Sequence, residues 1–187
     1  MERIRNSNTN EVILEWLRAE LYSSRFSDGL KTSLQKAGQH EDIITQGNVE
    51  NQTENEARLQ VLKGYSWLDF DLHQYSWYRV SLNQDEVKKL RYIDYSYWNE
   101  LTNNTRQIGK AVQNIINGKV IFDVLNDRFY EMAKDFESDK EVPPIIMISG
   151  QDSEPPQVIE GHLRATGYAL ARNVSYSLQA ILGETIR

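Results

Sequence analysis

The sequence predicts an α+β fold: a single domain of 187 residues in which helices pack around a small mixed β-sheet. Three observations carry this. The first half places its apolar residues at helical spacing. A central run, "WYRVSL", alternates at the period of a strand. The last quarter reads strand, strand, helix, strand. Residues 1–75 are expected to be mainly helical. Residues 76–187 are expected to form the α+β core, interrupted by a helical insertion over about 95–138.

Each element follows from its residues. "NTNEVILEWLRAEL" sets Val12, Ile13, Leu14, Trp16, Leu17 and Leu21 on one broad face, and Asn8 three residues before Glu11 is a capping pair. A short helix covers Leu30 to Ala37 and ends near Gly38. Residues 38–55 are polar and poorly periodic, a loop with one helical turn. A helix from about Glu54 carries Ala57, Leu59, Val61 and Leu62 and stops near Gly64. In "WYRVSL", Tyr78, Val80 and Leu82 share one face. "NQDEVKKL" then starts a helix capped by Asn83. A long helix is expected from Tyr97 to Asn117. Another is expected to carry Ile121, Leu125, Phe129, Met132 and Phe136, ended by Pro143 and Pro144. "PIIMIS" is a buried strand, "GQDSEPP" a loop, and "QVIE" a strand antiparallel to the first. "HLRATGYALAR" is helical, and "YSLQAILG" returns to alternation.

Composition removes several functional classes. The chain has no cysteine, which excludes disulfides, thiolate metal sites and cysteine nucleophiles. Its net charge of −6 argues against general nucleic-acid binding, which draws on Lys and Arg, and the short basic clusters stand beside acids. No apolar run approaches the ~20 residues of a spanning helix, and the N-terminus lacks the apolar region of a signal peptide. No membrane association and a cytoplasmic location are therefore expected.

The stretch "VIEGHLRATGYALA", Val158–Ala171, is the best candidate site. Gly161 lies between a strand and a helix, where glycine permits a sharp turn and a close backbone approach. The helix that begins there points unpaired N–H groups at the turn and favours an anion. Arg164 brings a planar fork suited to phosphate, His162 a further donor, and Glu160 a carboxylate to orient Arg164 or to share a metal with a bound phosphate. The same residues also suit a plain strand-to-helix junction, with Arg164 paired to Glu160 and His162 capping the turn.

The block "PPIIMIS…PPQVIEGHLRATGYALARNVSYSLQAILG" resembles the core of the ParB/sulfiredoxin superfamily, whose strand pair leads to a G-x-x-R or G-x-H-R box at a helix start. Gly161 matches the box glycine, Arg164 its arginine, and Ala165–Ala169 the small-residue helix after it. "WYRVSL" with "NQDEVKKL" resembles the opening strand–helix unit of that fold. The resemblance implies a sheet of the ParB/sulfiredoxin type with a helical N-terminal extension and insertion. It also implies nucleotide phosphates at the box, at Gly161 and Arg164; with Glu160 and His162 added from their chemistry, the candidate site is Glu160, Gly161, His162 and Arg164, and a nucleotide with Mg²⁺ is the candidate ligand. Sulfiredoxin chemistry is excluded, because His162 stands where that reaction needs a cysteine. Partition-type relatives carry Glu–Arg where His162–Leu163 stand, an E-N-x-x-R motif downstream, and then a helix-turn-helix domain. Here the chain runs only a short way past its last strand. "ENEAR", Glu54–Arg58, has the spelling of that motif but lies upstream, and reads as an ordinary exposed helix start.

The leading expectation is a nucleotide- or phosphate-binding domain. The alternative is a protein-interaction or regulatory module that grips its partner through the helical N-terminal half and keeps the box only as architecture. A third is a metal-dependent nuclease using Glu160 or Asp69/Asp71. In "DFDLH", Asp69, Asp71 and His73 fall at alternate positions that could share a cation, or form an acidic loop. Trp77, Tyr92, Tyr95, Tyr97 and Trp98 could stack a base, or weld inserted helices to the sheet. Three scattered histidines make no zinc spacing, and Ser149 and Ser175 have no triad partners at informative spacing.

Overall fold

The apolar run after Pro144 becomes the middle of a mixed sheet. The computed structural model describes residues 1–65, 71–149 and 154–186. Among them the strands are β1 (Glu2–Asn6), β2 (Tyr75–Leu82), β3 (Arg91–Tyr92), β4 (Ile145–Ile148), β5 (Gln157–Glu160) and β6 (Leu178–Thr185), in the order β1-β2-β6-β4-β5-β3. β4 runs parallel to β6 and antiparallel to β5. Ile145, Ile146 and Met147 are fully buried, which explains why β4 shows no alternation: both of its faces are covered. β3 joins β5 in parallel, and β1 closes the other edge antiparallel to β2. Neither edge strand is foreseen in the sequence. β1 exposes every residue, so "ERIRN" carries no core period, and β3 has only two residues.

The described contacts divide the chain into two compact units. One comprises Met1–Asn6 and Tyr78–Thr185; the other comprises Ser7–Trp77 with Ile186. The second unit is helical: α1 (Thr9–Leu21), α2 (Ser27–Lys36), α3 (Asp42–Thr45) and α4 (Gln52–Tyr65). Asn8 caps α1 through its side chain, accepting the Glu11 N–H at 2.9 Å. Val12, Leu17, Leu30, Leu34, Ile44 and Val61 form its interior.

"ENEAR" at the start of α4 is not an ordinary exposed helix start. Arg58 is wholly buried. Its Nη1 donates to the Ile43 carbonyl at 2.6 Å and to Glu54 at 3.0 Å; its Nη2 donates to the Asn48 carbonyl at 2.8 Å and to Asn55 at 2.5 Å. One guanidinium thus ties the Ile43 carbonyl of α3 and the Asn48 carbonyl, which also accepts the Asn51 N–H, to the start of α4. Gly47 lets the loop lie against it: a Cβ there would come within 2.7 Å of Arg58 Nη1 and 2.4 Å of the Ile43 carbonyl oxygen.

The sheet-bearing unit adds α5 (Gln84–Lys89), α6 (Ser96–Leu101), α7 (Ile108–Ile116), α8 (Asp127–Glu137) and α9 (His162–Leu170). Asn83 and Glu86 form a complete capping box on α5. α8 and α9 run side by side in the same direction. Gly167 admits Met132, Phe136 packs edge-on against Tyr168, and Phe136 accepts the Tyr176 hydroxyl.

Two helix expectations are corrected. The helix expected over Tyr97–Asn117 is broken into α6 and α7. In the break, Asn103, Asn104 and Arg106 have positive φ, and the Thr102 hydroxyl donates back to the Trp98 carbonyl. Asn tolerates the left-handed region and Thr competes for backbone partners, so "LTNNTRQ" ends a helix despite the apolar period around it. The helix expected from Ile121 begins only at Asp127. Phe122 and Asp123 both have positive φ and form a two-residue turn closed by the Ile121↔Val124 bridge.

Candidate functional site

The strand-to-helix turn is built by Gly161. It has φ 90° and ψ 26°, and it precedes α9 with no side chain capping the helix start. A Cβ at this position would lie 2.7 Å from Ile145 Cγ2 and 2.9 Å from Arg164 Nη2. Glycine is therefore required twice, by the left-handed backbone and by the contact with β4.

That turn brings Glu160, His162 and Arg164 together, as expected from the sequence, but each is engaged inside the protein. Arg164 is only 9% exposed. Its Nη2 donates to Glu160 Oε2 and, at 3.3 Å, to the Pro144 carbonyl. Burial raises the Glu160 carboxyl above its usual range, while the charge and hydrogen bond of Arg164 pull it back down. The pair sits i, i+4 across the junction and ties the end of β5 to the first turn of α9 and to the chain entering β4. One nitrogen of the fork that would clasp a phosphate, Nη2, thus already holds a carboxylate of the same protein, while Nε is buried without a partner.

His162 faces an aromatic wall. Its ring lies 5.4 Å from Trp98 and 6.0 Å from Tyr92, near parallel to both, and Trp98 stacks on Tyr92 at 4.2 Å. Nε2 is 3.0 Å from the Val158 carbonyl, which accepts, so Nε2 carries the proton of the neutral ring. Burial, aided by the nearby Arg164 charge, pushes the His162 pKa down to about 4. The imidazole is then a neutral wedge, not a cation for an anion.

A second strap holds the turn. The Thr166 hydroxyl donates to the His162 carbonyl at 2.7 Å, and the Tyr92 hydroxyl lies 2.7 Å from Thr166 Oγ1. Because the carbonyl takes Thr166's only proton, Tyr92 must donate to Thr166. This links β3 to α9, and sequence reading missed it because the partners lie 74 residues apart.

Of the aromatic cluster, Tyr92, Tyr97 and Trp98 pack in the core of the sheet-bearing unit. Trp77 is buried with its indole N–H on the Leu72 carbonyl, and Tyr95 is exposed. Asp69 lies outside the described residues. Asp71 caps a single turn, Leu72–Gln74, by accepting the His73 N–H. Among the described residues no cluster of His, Asp and Glu could hold a metal ion, and no helix is long and apolar enough to cross a membrane. Compared with known proteins, the chain matches no family model, no curated protein and no solved structure.

Proposed function

We propose that this chain is a protein-interaction module whose Gly161–Arg164 turn is architectural, carried on the ParB-like sheet that the sequence resembles. One observation carries the reading: the Arg164 guanidinium is buried against Glu160 and the Pro144 carbonyl. Turning Nη2 to a phosphate would mean breaking a buried ion pair and leaving the Glu160 charge uncompensated, at a cost of about 3–5 kcal/mol. Calorimetry with a panel of nucleoside mono-, di- and triphosphates in Mg²⁺ tests this. No heat of binding is expected. Binding abolished by Arg164→Ala, in a protein still folded by circular dichroism, would overturn it.

The second reading, nucleotide or phosphate binding at Glu160, Gly161, His162 and Arg164, keeps one supporting observation. A left-handed glycine opens the nine-residue α9 with no side-chain cap, an arrangement whose N–H groups suit an anion. It predicts nucleotide binding that is lost in Arg164→Ala and also when Gly161→Ala displaces the turn.

A further inference from the structure

Buried polar groups in a folded protein normally find partners, so the ones that lack them are informative. Among the described residues six buried side-chain nitrogens and oxygens have none, and three of these belong to one place, the start of α8. Asn126, 9% exposed, is the N-cap residue of α8. Its Nδ2 donates to the Lys119 carbonyl at 2.8 Å, its Oδ1 is buried without a donor, and no side chain caps the helix. Arg128 is the second residue of α8. Its Nε is buried without an acceptor, and among the described residues the guanidinium forms no ion pair. The guanidinium lies instead over the Phe129 and Tyr97 rings, with Cζ 5.3 and 5.8 Å from their centroids. Tyr97 is 7% exposed, and its hydroxyl is the third unpartnered atom. Trp98 touches both Tyr97 and His162, so this place neighbours the Gly161 turn but shares no residue with it.

The three atoms define a complement. Arg128 Nε–H and the Tyr97 hydroxyl call for an acceptor, and Asn126 Oδ1 calls for a donor. The uncapped first turn of α8, an eleven-residue helix, favours negative charge in the same place. That charge is limited to one. Arg128 is the only cation of the first turn, and Asp127 and Glu131 are exposed on the side of it away from Phe129. A dianion such as a phosphomonoester would have one guanidinium to balance it and two acids nearby. A planar carboxylate matches the guanidinium fork and brings a single charge. We infer that the start of α8 binds a small carboxylate with a hydroxyl or ammonium group on the adjacent carbon. The carboxylate lies on Arg128 and the Tyr97 hydroxyl, and the neighbouring group donates to Asn126 Oδ1. Arg128 is half-buried, so the ligand reaches it from solvent. The site goes beyond the interaction-module reading and does not depend on it.

The test titrates the full chain with lactate, L-alanine and propionate, which differ only in the group beside the carboxylate: hydroxyl, ammonium or hydrogen. The side-chain N–H signals of Arg128 and Asn126 in heteronuclear NMR spectra are the readout. Lactate and L-alanine are expected to shift both signals saturably, and propionate to bind at least about fivefold more weakly for want of the donor to Asn126. Arg128→Gln is expected to abolish the Asn126 shift. Tyr97→Phe is expected to weaken binding while the melting temperature of the unliganded protein stays the same or rises, because the substitution removes a buried hydroxyl that has no partner. No saturable shift with any of the three carboxylates overturns the inference. So does equal affinity for lactate and propionate, or an Asn126 shift that persists in Arg128→Gln. A marked fall in melting temperature in Tyr97→Phe also overturns it, since the hydroxyl would then hold a partner in the unliganded protein.

Discussion

At the residue scale, the Glu160–Arg164 pair decides how the candidate site is read. A lone Arg164→Met substitution leaves a buried carboxylate unpaired and is expected to cost about 3 kcal/mol. Glu160→Gln with Arg164→Met should cost much less than the two single changes added together. Urea denaturation of the four proteins checks this, and additive losses would mean the two groups are not coupled. His162 makes a pH-dependent prediction. Above pH 6.5 the ring is neutral whether the chain is folded or not. Between 6.5 and about 4 the unfolded chain takes up a proton that the folded chain refuses, so stability falls across that window. The loss is on the order of 2–3 kcal/mol. Glu160, whose carboxyl is raised, acts in the opposite sense. The informative quantity is therefore the difference between wild type and His162→Phe, whose melting temperature should fall less from pH 7 to pH 4.5.

At the element scale, two short turns override apolar periodicity. Ile121, Leu125, Phe129, Met132 and Phe136 keep helical spacing, yet Phe122 and Asp123 adopt positive φ and turn Leu125 outward. The central pair of such a turn favours Asn-Gly. Phe122→Asn/Asp123→Gly is therefore expected to raise stability by about 1 kcal/mol while removing the apolar tip. Thermal melting checks this, and an unchanged or lower melting temperature would mean that the positive φ of Phe122 and Asp123 carries no cost. α9 gives the reverse case. Gly161→Ala meets both a left-handed backbone and Ile145, and is expected to destabilise by at least about 1 kcal/mol, read by thermal melting.

At the scale of the whole molecule, each unit has its own interior. Arg58 holds the 43–48 segment of the helical unit, and replacing it by Ala would take the guanidinium donors from the Ile43 carbonyl and from the Asn48 carbonyl, which keeps the Asn51 N–H. The expected cost is about 3 kcal/mol. Native-state hydrogen exchange should show lost protection in α1 and α4, with β4 and β6 keeping theirs. Uniform loss across both units would show that they unfold as one.

The sequence by itself determined the elements with strong local signals. α1, α5 and α9 follow from caps and apolar spacing. β4, β5 and β6 follow from short β-branched or alternating runs between turn residues. It also determined that Glu160, Gly161, His162 and Arg164 lie at one turn, because they fall within five residues around a strand–glycine–helix junction. Only the tertiary structure decided what those side chains hold. The choice between a bound anion and Glu160 with the Pro144 carbonyl depends on how β4 lies beside the turn, and no local pattern encodes that distance. The same holds for the Tyr92–Thr166 strap, for Arg58, and for the exposed Phe122. Burial is a property of the neighbours, and those neighbours are set by packing between segments distant in the chain.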